Sequence, residues 1–96
     1  MSTYFVYILI SIKNPLKTYV GYTSDLVLRM REHNLGERYK NAFTKKFRPW
    51  ELIYFEEFET KQEAMQREKW YKSGVGREFI QNNKKIWVEH SPPRRA

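Results

Sequence analysis

The sequence predicts an α+β domain in which helices flank a three-stranded, mainly antiparallel sheet. Three segments rich in β-branched and aromatic residues have the length of strands, and turn residues separate the first two of them. Helical patterns follow the second and third segments. The predicted element order is therefore β-β-α-β-α-α. A chain of 96 residues is expected to form one domain.

The strand predictions depend on residue type and on turns. Residues 4–12 are apolar on both alternating faces, which predicts a central strand buried on both sides. Lys13-Asn14-Pro15 predicts a turn, and the short connection to residues 18–23 predicts an antiparallel hairpin. Gly21 interrupts this second strand and indicates a close approach by another backbone or a ligand. Residues 50–58 predict the third strand.

A first helix is predicted between the second and third strands. It runs to about Asn34 and ends at Gly36, and its cap is one of three polar residues, Thr23, Ser24 or Asp25. The following residues, 37–49, are expected to form a polar, basic connection.

Two more helices are predicted near the end of the chain. Thr60 is expected to open a helix that runs to about Ser73, and Gly74 and Gly76 are expected to break it. A short last helix is then predicted over residues 77–83.

The domain is therefore predicted to occupy residues 1–83. A basic tail, residues 84–96, is expected to follow it and to be partly disordered.

Composition excludes several classes of protein. The absence of cysteine excludes disulfides, thiolate catalysis and cysteine-based zinc sites. No apolar run approaches the roughly 18–20 residues that span a bilayer, so we expect no membrane segment. The first residues also lack the pattern of a signal peptide, and we expect a cytoplasmic protein.

A net charge of +7 favours nucleic acid as the partner, because phosphates attract Lys and Arg at long range. Anionic membranes and simple solubility remain alternatives. The segment 38–48 mixes Tyr39, Phe43 and Phe47 with cations, which suits phosphate contact and base stacking. The equally supported alternative is an exposed loop whose aromatic rings hold it to the core. The candidate nucleic-acid-binding residues are Arg38, Lys40, Lys45, Lys46 and Arg48.

Glu68 is the residue least suited to its predicted surroundings. It falls within about 20° of the centre of the apolar arc of its helix, which is formed by Ala64, Met65, Tyr71 and Val75. An inward carboxylate is costly unless it is paired or binds a cation. On the helix pattern alone, a rim position neutralised by Arg or Lys is favoured over a functional site.

Two pairs of residues show a weaker signal. Arg29 and His33 lie four residues apart on the first helix, where they could hold a phosphate together or simply be solvated. Tyr7 and Tyr19 lie on the two strands of the hairpin, and by themselves they indicate sheet core.

In order and spacing, these residues resemble the GIY-YIG nuclease superfamily. Phe5-Val6-Tyr7 is a variant of the first half-motif, and Tyr19-Val20-Gly21 closely matches the second. Residues 25–34 resemble the Arg-bearing helix of the family, and residues 48–68 resemble its third strand and Glu-bearing helix. The resemblance covers residues 4 to about 82 and is greatest to small stand-alone members related to the nuclease domain of the excision-repair subunit UvrC.

The resemblance implies a metal-dependent endonuclease acting on nucleic acid, with DNA expected and repair or recombination as the setting. It implies one divalent ion, Mg²⁺ or Mn²⁺, held by Glu68, and no organic cofactor. Tyr19 would act as the general base or help to position it, and Tyr7 would orient the water or the scissile phosphate. Arg29 would stabilise phosphate charge, and His33 would hydrogen-bond the water or phosphate.

Two other hypotheses remain open. One is a weakly active or inactive nucleic-acid-binding module of the same fold. The other is an unrelated basic α+β protein that binds RNA or a protein. The combination of Tyr7, Tyr19, Arg29, His33 and Glu68 favours the nuclease, because a binding module does not need an inward carboxylate. A monomer or weak homodimer is expected.

Overall fold

The computed structural model describes residues 3–36 and 42–90. Its sheet has three strands in the order β2-β1-β3, and both pairings are antiparallel. The strands are β1 (Tyr4–Ser11), β2 (Thr18–Thr23) and β3 (Trp50–Phe58). This arrangement confirms the α+β class, the hairpin and the central position of the first strand. It also leaves β2 at an edge of the sheet.

Within the described residues, four helices accompany the sheet: α1 (Leu26–Leu35), α2 (Ala42–Lys46), α3 (Lys61–Tyr71) and α4 (Gly74–Glu89). The order β-β-α-β-α-α is confirmed, with the short α2 added in the segment that we expected to be a connection. A helix of five residues needs tertiary support. Trp50 supplies part of it, because its indole Nε1 donates a 2.8 Å hydrogen bond to the carbonyl of Thr44. Within the described ranges, no helix is long and apolar enough to cross a membrane.

The start of α4 differs from the prediction. The predicted break is present, but it falls at Lys72 and Ser73, and Gly74 and Gly76 follow it in the first turn of α4. The Ser73 side chain caps this turn by accepting a hydrogen bond from the backbone N–H of Gly76. Gly76 also packs against the end of α3, where an added Cβ would lie 2.7 Å from the carbonyl carbon of Tyr71. Glycine is therefore needed here for close helix packing.

The end of α4 also differs from the prediction. The helix continues past Asn83 to Glu89, so the domain boundary expected at residue 83 falls inside it. The reason is an aromatic contact that the sequence does not reveal: the ring of Trp87 stacks on that of Tyr54 at 4.4 Å and 14°. Residues 91–96 of the expected tail lie outside the described residues.

The side chains on the two faces of the central strand β1 belong to two separate apolar clusters. Side chains alternate along a strand, so even-numbered and odd-numbered positions of β1 point in opposite directions. Val6, Ile8 and Ile10 pack with residues of α3 and α4, namely Ala64, Tyr71 and Ile80. Tyr7 and Leu9 pack on the other face with Trp50, Leu26 and Met30. The sheet therefore lies between α1 on one side and the pair α3 and α4 on the other.

A polar cluster joins β3 to α3. The Glu56 carboxylate receives two hydrogen bonds from the Arg67 guanidinium, at 2.9 and 3.2 Å. It also accepts hydrogen bonds from the hydroxyls of Tyr71 at 2.7 Å and Tyr54 at 3.0 Å. Burial raises the pKa of Glu56, but these hydrogen bonds and the charge of Arg67 outweigh it and hold the pKa below its usual value.

Glu56 should make stability sensitive to acid. Because its folded-state pKa lies below the unfolded value, ionised Glu56 stabilises the fold above that unfolded value. This contribution is lost as the pH falls through the folded-state pKa. We expect Glu56→Gln to lower the free energy of unfolding by about 1–3 kcal/mol at neutral pH and to flatten its decline in acid. Urea unfolding across a pH series measures both effects. Exposed Glu57→Gln is the control, and an equal response of the two variants would contradict the assignment.

Candidate active site

A cavity of about 450 Å³ lies along the edge strand β2. Four of the residues predicted from the sequence line it: Tyr7, Tyr19, Arg29 and Glu68. Arg29 lies on α1 and Glu68 on α3, which pack on opposite faces of the sheet. They meet because β2 has no further strand beside it, so that both helices reach around the same edge.

The ring of Tyr7 lies directly over Gly21 of the neighbouring strand. These two residues are opposite each other in the β1–β2 register. A Cβ added to Gly21 would lie 2.6 Å from Cζ of Tyr7, closer than packed atoms can approach. The expected close approach at Gly21 is therefore present, and the group that approaches is a tyrosine side chain. The glycine of the second half-motif makes room for the tyrosine of the first.

His33 contacts the hydroxyl and ring of Tyr7 from the buried side. Its Nε2 is hydrogen-bonded to the Tyr7 hydroxyl at 2.8 Å, and its ring lies 5.0 Å from that of Tyr19. His33 is completely buried and is not among the residues that line the cavity. The sequence led us to expect a direct hydrogen bond from His33 to water or phosphate. In the structure its Nε2 is hydrogen-bonded to the Tyr7 hydroxyl instead, so that it supports this tyrosine.

Burial lowers the pKa of His33, and the positive charges of Arg29 and Arg48 lower it further, to about 4. The imidazole is therefore neutral at physiological pH. A neutral ring can hydrogen-bond the Tyr7 hydroxyl without adding a second cation beside Arg29.

Two side chains fix the end of α1 that carries His33. The amide of Asn34 makes two hydrogen bonds to the backbone of Trp50, at 2.6 and 3.1 Å. The Arg48 guanidinium donates to three carbonyls at the end of α1, those of Glu32, His33 and Gly36. We expected Arg48 to be a nucleic-acid contact, but these bonds make it a cap of the helix. The basic composition of the segment did not distinguish the two roles.

Glu68 combines the two interpretations that the sequence left open. Its side chain is 21% exposed and forms a 3.2 Å ion pair with Lys72, as the rim interpretation requires. The same carboxylate also lines the cavity with Tyr19 and Arg29. The inward position of Glu68 was predicted from an apolar face of its helix. That face is narrower than predicted, because Met65, one of its assigned members, is 44% exposed.

Val75 was also assigned to that face. It belongs instead to α4 and is 64% exposed.

Comparison with known proteins identifies the family. A family model described as the GIY-YIG catalytic domain matches residues 3–85. This chain belongs to the GIY-YIG family. Membership confirms the resemblance drawn from the half-motifs and places the chain in a superfamily of nucleases.

The sequence relatives are small bacterial proteins. UPF0213 protein YazA of Bacillus subtilis is 42% identical over 71 residues, 74% of this chain and 65% of the relative. A UPF0213 protein of Listeria monocytogenes serotype 4b is 44% identical over 71 residues, 74% and 75% of the two chains. The matches cover 65% of YazA and 64% of a Bacillus velezensis relative, just under two thirds of each. These names specify no activity.

A solved structure is also similar. The solution NMR structure of UPF0213 protein BH0048 from Bacillus halodurans is 29% identical and has a TM-score of 0.49. The match covers 85% of each chain.

Two lysines of the GIY-YIG site were not predicted. Lys61, the first residue of α3, lines the cavity. The ammonium of Lys72 lies 5.7 Å from the centre of the Tyr19 ring while pairing with Glu68. Both lysines could have been found by helical spacing, because residues four and seven apart share a helix face with Glu68. Together with Arg29, these lysines place positive charge around the cavity, which suits an anionic ligand.

The residues that line the cavity fit a divalent ion coordinated mostly by water better than one coordinated entirely by protein groups. Among the described residues, no group of three or more His, Cys, Asp or Glu is arranged to hold a metal. Glu68 would be the one carboxylate donor to such an ion, in a cavity with room for water. Mg²⁺ is commonly bound in this way, since it keeps several waters and takes only one or two carboxylates.

The predicted nucleic-acid contacts that the structure describes fall in two different places. Lys45 and Lys46 are exposed on α2. Arg48 caps α1, as described above. Arg38 and Lys40 lie outside the described residues.

Gly21→Ala should disrupt the Tyr7 contact. We expect the overpacked methyl group to lower the free energy of unfolding by about 1–3 kcal/mol. Gly74→Ala is the matched control, because a Cβ at Gly74 meets nothing within 4 Å and alanine favours a helix. Urea unfolding of both variants measures the difference. Equal stability of the two would show that Tyr7 does not need the space above Gly21.

His33 should titrate far below an ordinary histidine. We expect its imidazole resonances to shift with a midpoint near pH 4. Arg29→Gln should raise that midpoint, because it removes a neighbouring positive charge. Since the unfolded value is about 6.5, the contribution of His33 to stability should decline as the pH falls from about 6.5 towards 4. NMR titration measures the midpoint, and a value near 6.5 would contradict the buried neutral ring.

Proposed function

We propose that this GIY-YIG domain is a metal-dependent endonuclease that hydrolyses phosphodiester bonds in nucleic acid, with DNA the expected substrate and repair or recombination the setting. The observation that carries the proposal is the meeting of Tyr7, Tyr19, Arg29 and Glu68 in one cationic cavity. These residues come from four separate elements, so their meeting is a property of the fold and not of one helix or hairpin.

The cations are suited to bind the scissile phosphate. Arg29 and Lys61 line the cavity, and a guanidinium can contact two phosphate oxygens at once. Arg29 also pairs with Glu32 at 3.0 Å, which limits the orientations open to its side chain. In the proposed reaction, Arg29 stabilises the negative charge that grows on the phosphate.

The two tyrosines would activate and orient the attacking water. Tyr19 acts as the general base or positions it, with the positive charge of Lys72 beside its ring. Tyr7 orients the water or the phosphate through its hydroxyl, whose direction is set by the hydrogen bond to His33. His33 contributes by holding that hydroxyl in place and not by contact with the substrate.

Glu68 would hold the divalent ion, Mg²⁺ or Mn²⁺. When bound, the ion supplies positive charge that neutralises the leaving oxygen. The ammonium of Lys72 already pairs with Glu68 and competes with the ion for the same carboxylate. We therefore expect weak metal affinity until nucleic acid supplies further oxygen ligands.

Glu68→Gln should abolish cleavage. We expect a loss of at least about a hundredfold in single-turnover rate on flapped, branched or plain DNA with Mg²⁺ or Mn²⁺. The matched control is Glu63→Gln, an exposed acid on the same helix, and it should cleave normally. Thermal unfolding of both variants checks that the fold is retained.

Cleavage that survives in Glu68→Gln, or in EDTA, would reject the mechanism. Tight binding of every substrate without cleavage in either metal would favour the alternative, a GIY-YIG binding module with little or no activity.

A further inference from the structure

Two lysines lie over one aromatic ring beside the β1–β2 turn, and a third lysine is hydrogen-bonded to one of them. The ammonium of Lys17 lies 5.6 Å from the centre of the Phe47 ring, and that of Lys46 lies 5.4 Å from it. The ammonium of Lys13 donates to the carbonyl of Lys46 at 3.4 Å. We call these four residues, Lys13, Lys17, Lys46 and Phe47, the Phe47 patch. It joins the hairpin to the end of α2.

No acidic residue lies on the two segments that carry the lysines of the Phe47 patch. Neither the turn, residues 12–17, nor α2 contains an acid. In the part of the chain that the structure describes, the patch lysines form no ion pair; the pairs present are Arg29–Glu32, Arg67–Glu56 and Lys72–Glu68. Holding like charges together is unfavourable unless an anion neutralises them. The patch therefore suits a polyanion.

A series of aromatic rings connects the Phe47 patch to the cavity. Tyr19 lines the cavity, and its ring stacks on that of Phe43 at 6.4 Å and 28°. The Phe43 ring in turn contacts the Phe47 ring at 5.0 Å. Phe43 is 38% exposed, so part of its ring faces solvent between the cavity and the lysines. The patch is therefore two ring contacts away from the proposed catalytic tyrosine.

Exposed aromatic rings beside lysines suit nucleic acid with unpaired bases. Unpaired bases stack on aromatic side chains while cations contact their phosphates. In a duplex, base faces are covered by neighbouring bases and cannot stack on Phe43. The alternative, that Phe43 and Phe47 only hold α2 to the core, explains the contact of Phe43 with Trp50 but not the two lysines over the Phe47 ring.

We infer that single-stranded nucleic acid runs from the cavity across Phe43 to the Phe47 patch. An unpaired base stacks on Phe43, and phosphates on the same strand contact Lys17 and Lys46. This inference rests on the proposed function, since it takes the cavity as the place of the scissile phosphate. The substrate class is then a strand with unpaired nucleotides beside the cut, as in a flap or a single-stranded extension.

Binding measured in EDTA tests the surface without requiring cleavage. The probes are a fluorescent blunt duplex and the same duplex carrying a single-stranded extension. For the extended probe, we expect the Lys17→Ala/Lys46→Ala variant to lose about tenfold or more in affinity and its salt slope to fall by about 0.7 per lysine removed. Phe43→Leu should lose about tenfold on the same probe with an unchanged salt slope. The blunt duplex should be affected much less.

The matched control for charge is Lys69→Ala/Arg77→Ala, which removes two exposed cations from α3 and α4. It should bind both probes nearly as well as the wild type. Equal losses in the two double variants, or equal losses on the blunt and extended probes, would overturn the inference. So would a wild-type protein that binds both probes equally well.

The binding result and the cleavage result can be separated. If Glu68→Gln abolishes cleavage while the patch variants bind normally, the nuclease proposal stands and this surface is rejected. If the patch variants lose selective binding but the wild type never cleaves, the surface stands and the nuclease proposal is rejected.

Discussion

The geometry of the candidate active site depends on the contact between the Tyr7 ring and Gly21. The sheet register sets the two residues opposite each other, and the missing Cβ lets the ring lie across β2. From there its hydroxyl reaches the buried Nε2 of His33 at 2.8 Å, which ties the sheet to α1. A larger residue at position 21 would therefore move Tyr7 and, through it, loosen the hold on His33. Strand register, helix position and the direction of the Tyr7 hydroxyl are thus set together.

The position of β2 at the sheet edge explains how distant residues share one cavity. A fourth strand beside it would separate Arg29 on α1 from Glu68 on α3, because these helices pack on opposite faces. The exposed edge instead becomes the floor of a cationic cavity. The same edge strand carries Tyr19, whose ring leads through Phe43 towards the Phe47 patch. In the proposed nuclease, one strand would serve both the cleavage site and the path of the substrate.

Lys72 gives the Glu68 carboxylate a partner before any metal is bound. A partly exposed ion pair of this kind contributes little to stability, about 0–1 kcal/mol, so its removal is not expected to unfold the protein. Its position matters more than its strength, because the same ammonium lies over the Tyr19 ring. The pair thus couples the proposed metal ligand to the proposed base. It also shows why an ion-paired rim residue and a functional carboxylate are not exclusive interpretations of Glu68.

The sequence by itself determined the strands, the order of the main elements and the family, because alternation, turn residues and half-motif spacing are local patterns. It also marked Tyr7, Tyr19, Arg29 and Glu68, which the fold brings into one cavity. Only the tertiary structure decided that His33 lies behind Tyr7, that Arg48 caps α1, and that α4 continues to Glu89. Each of these depends on a partner far away in the chain: a tyrosine hydroxyl, helix-end carbonyls, and the Tyr54 ring that holds Trp87. Local patterns carry no information about such partners, because burial and hydrogen bonding are settled when the elements pack.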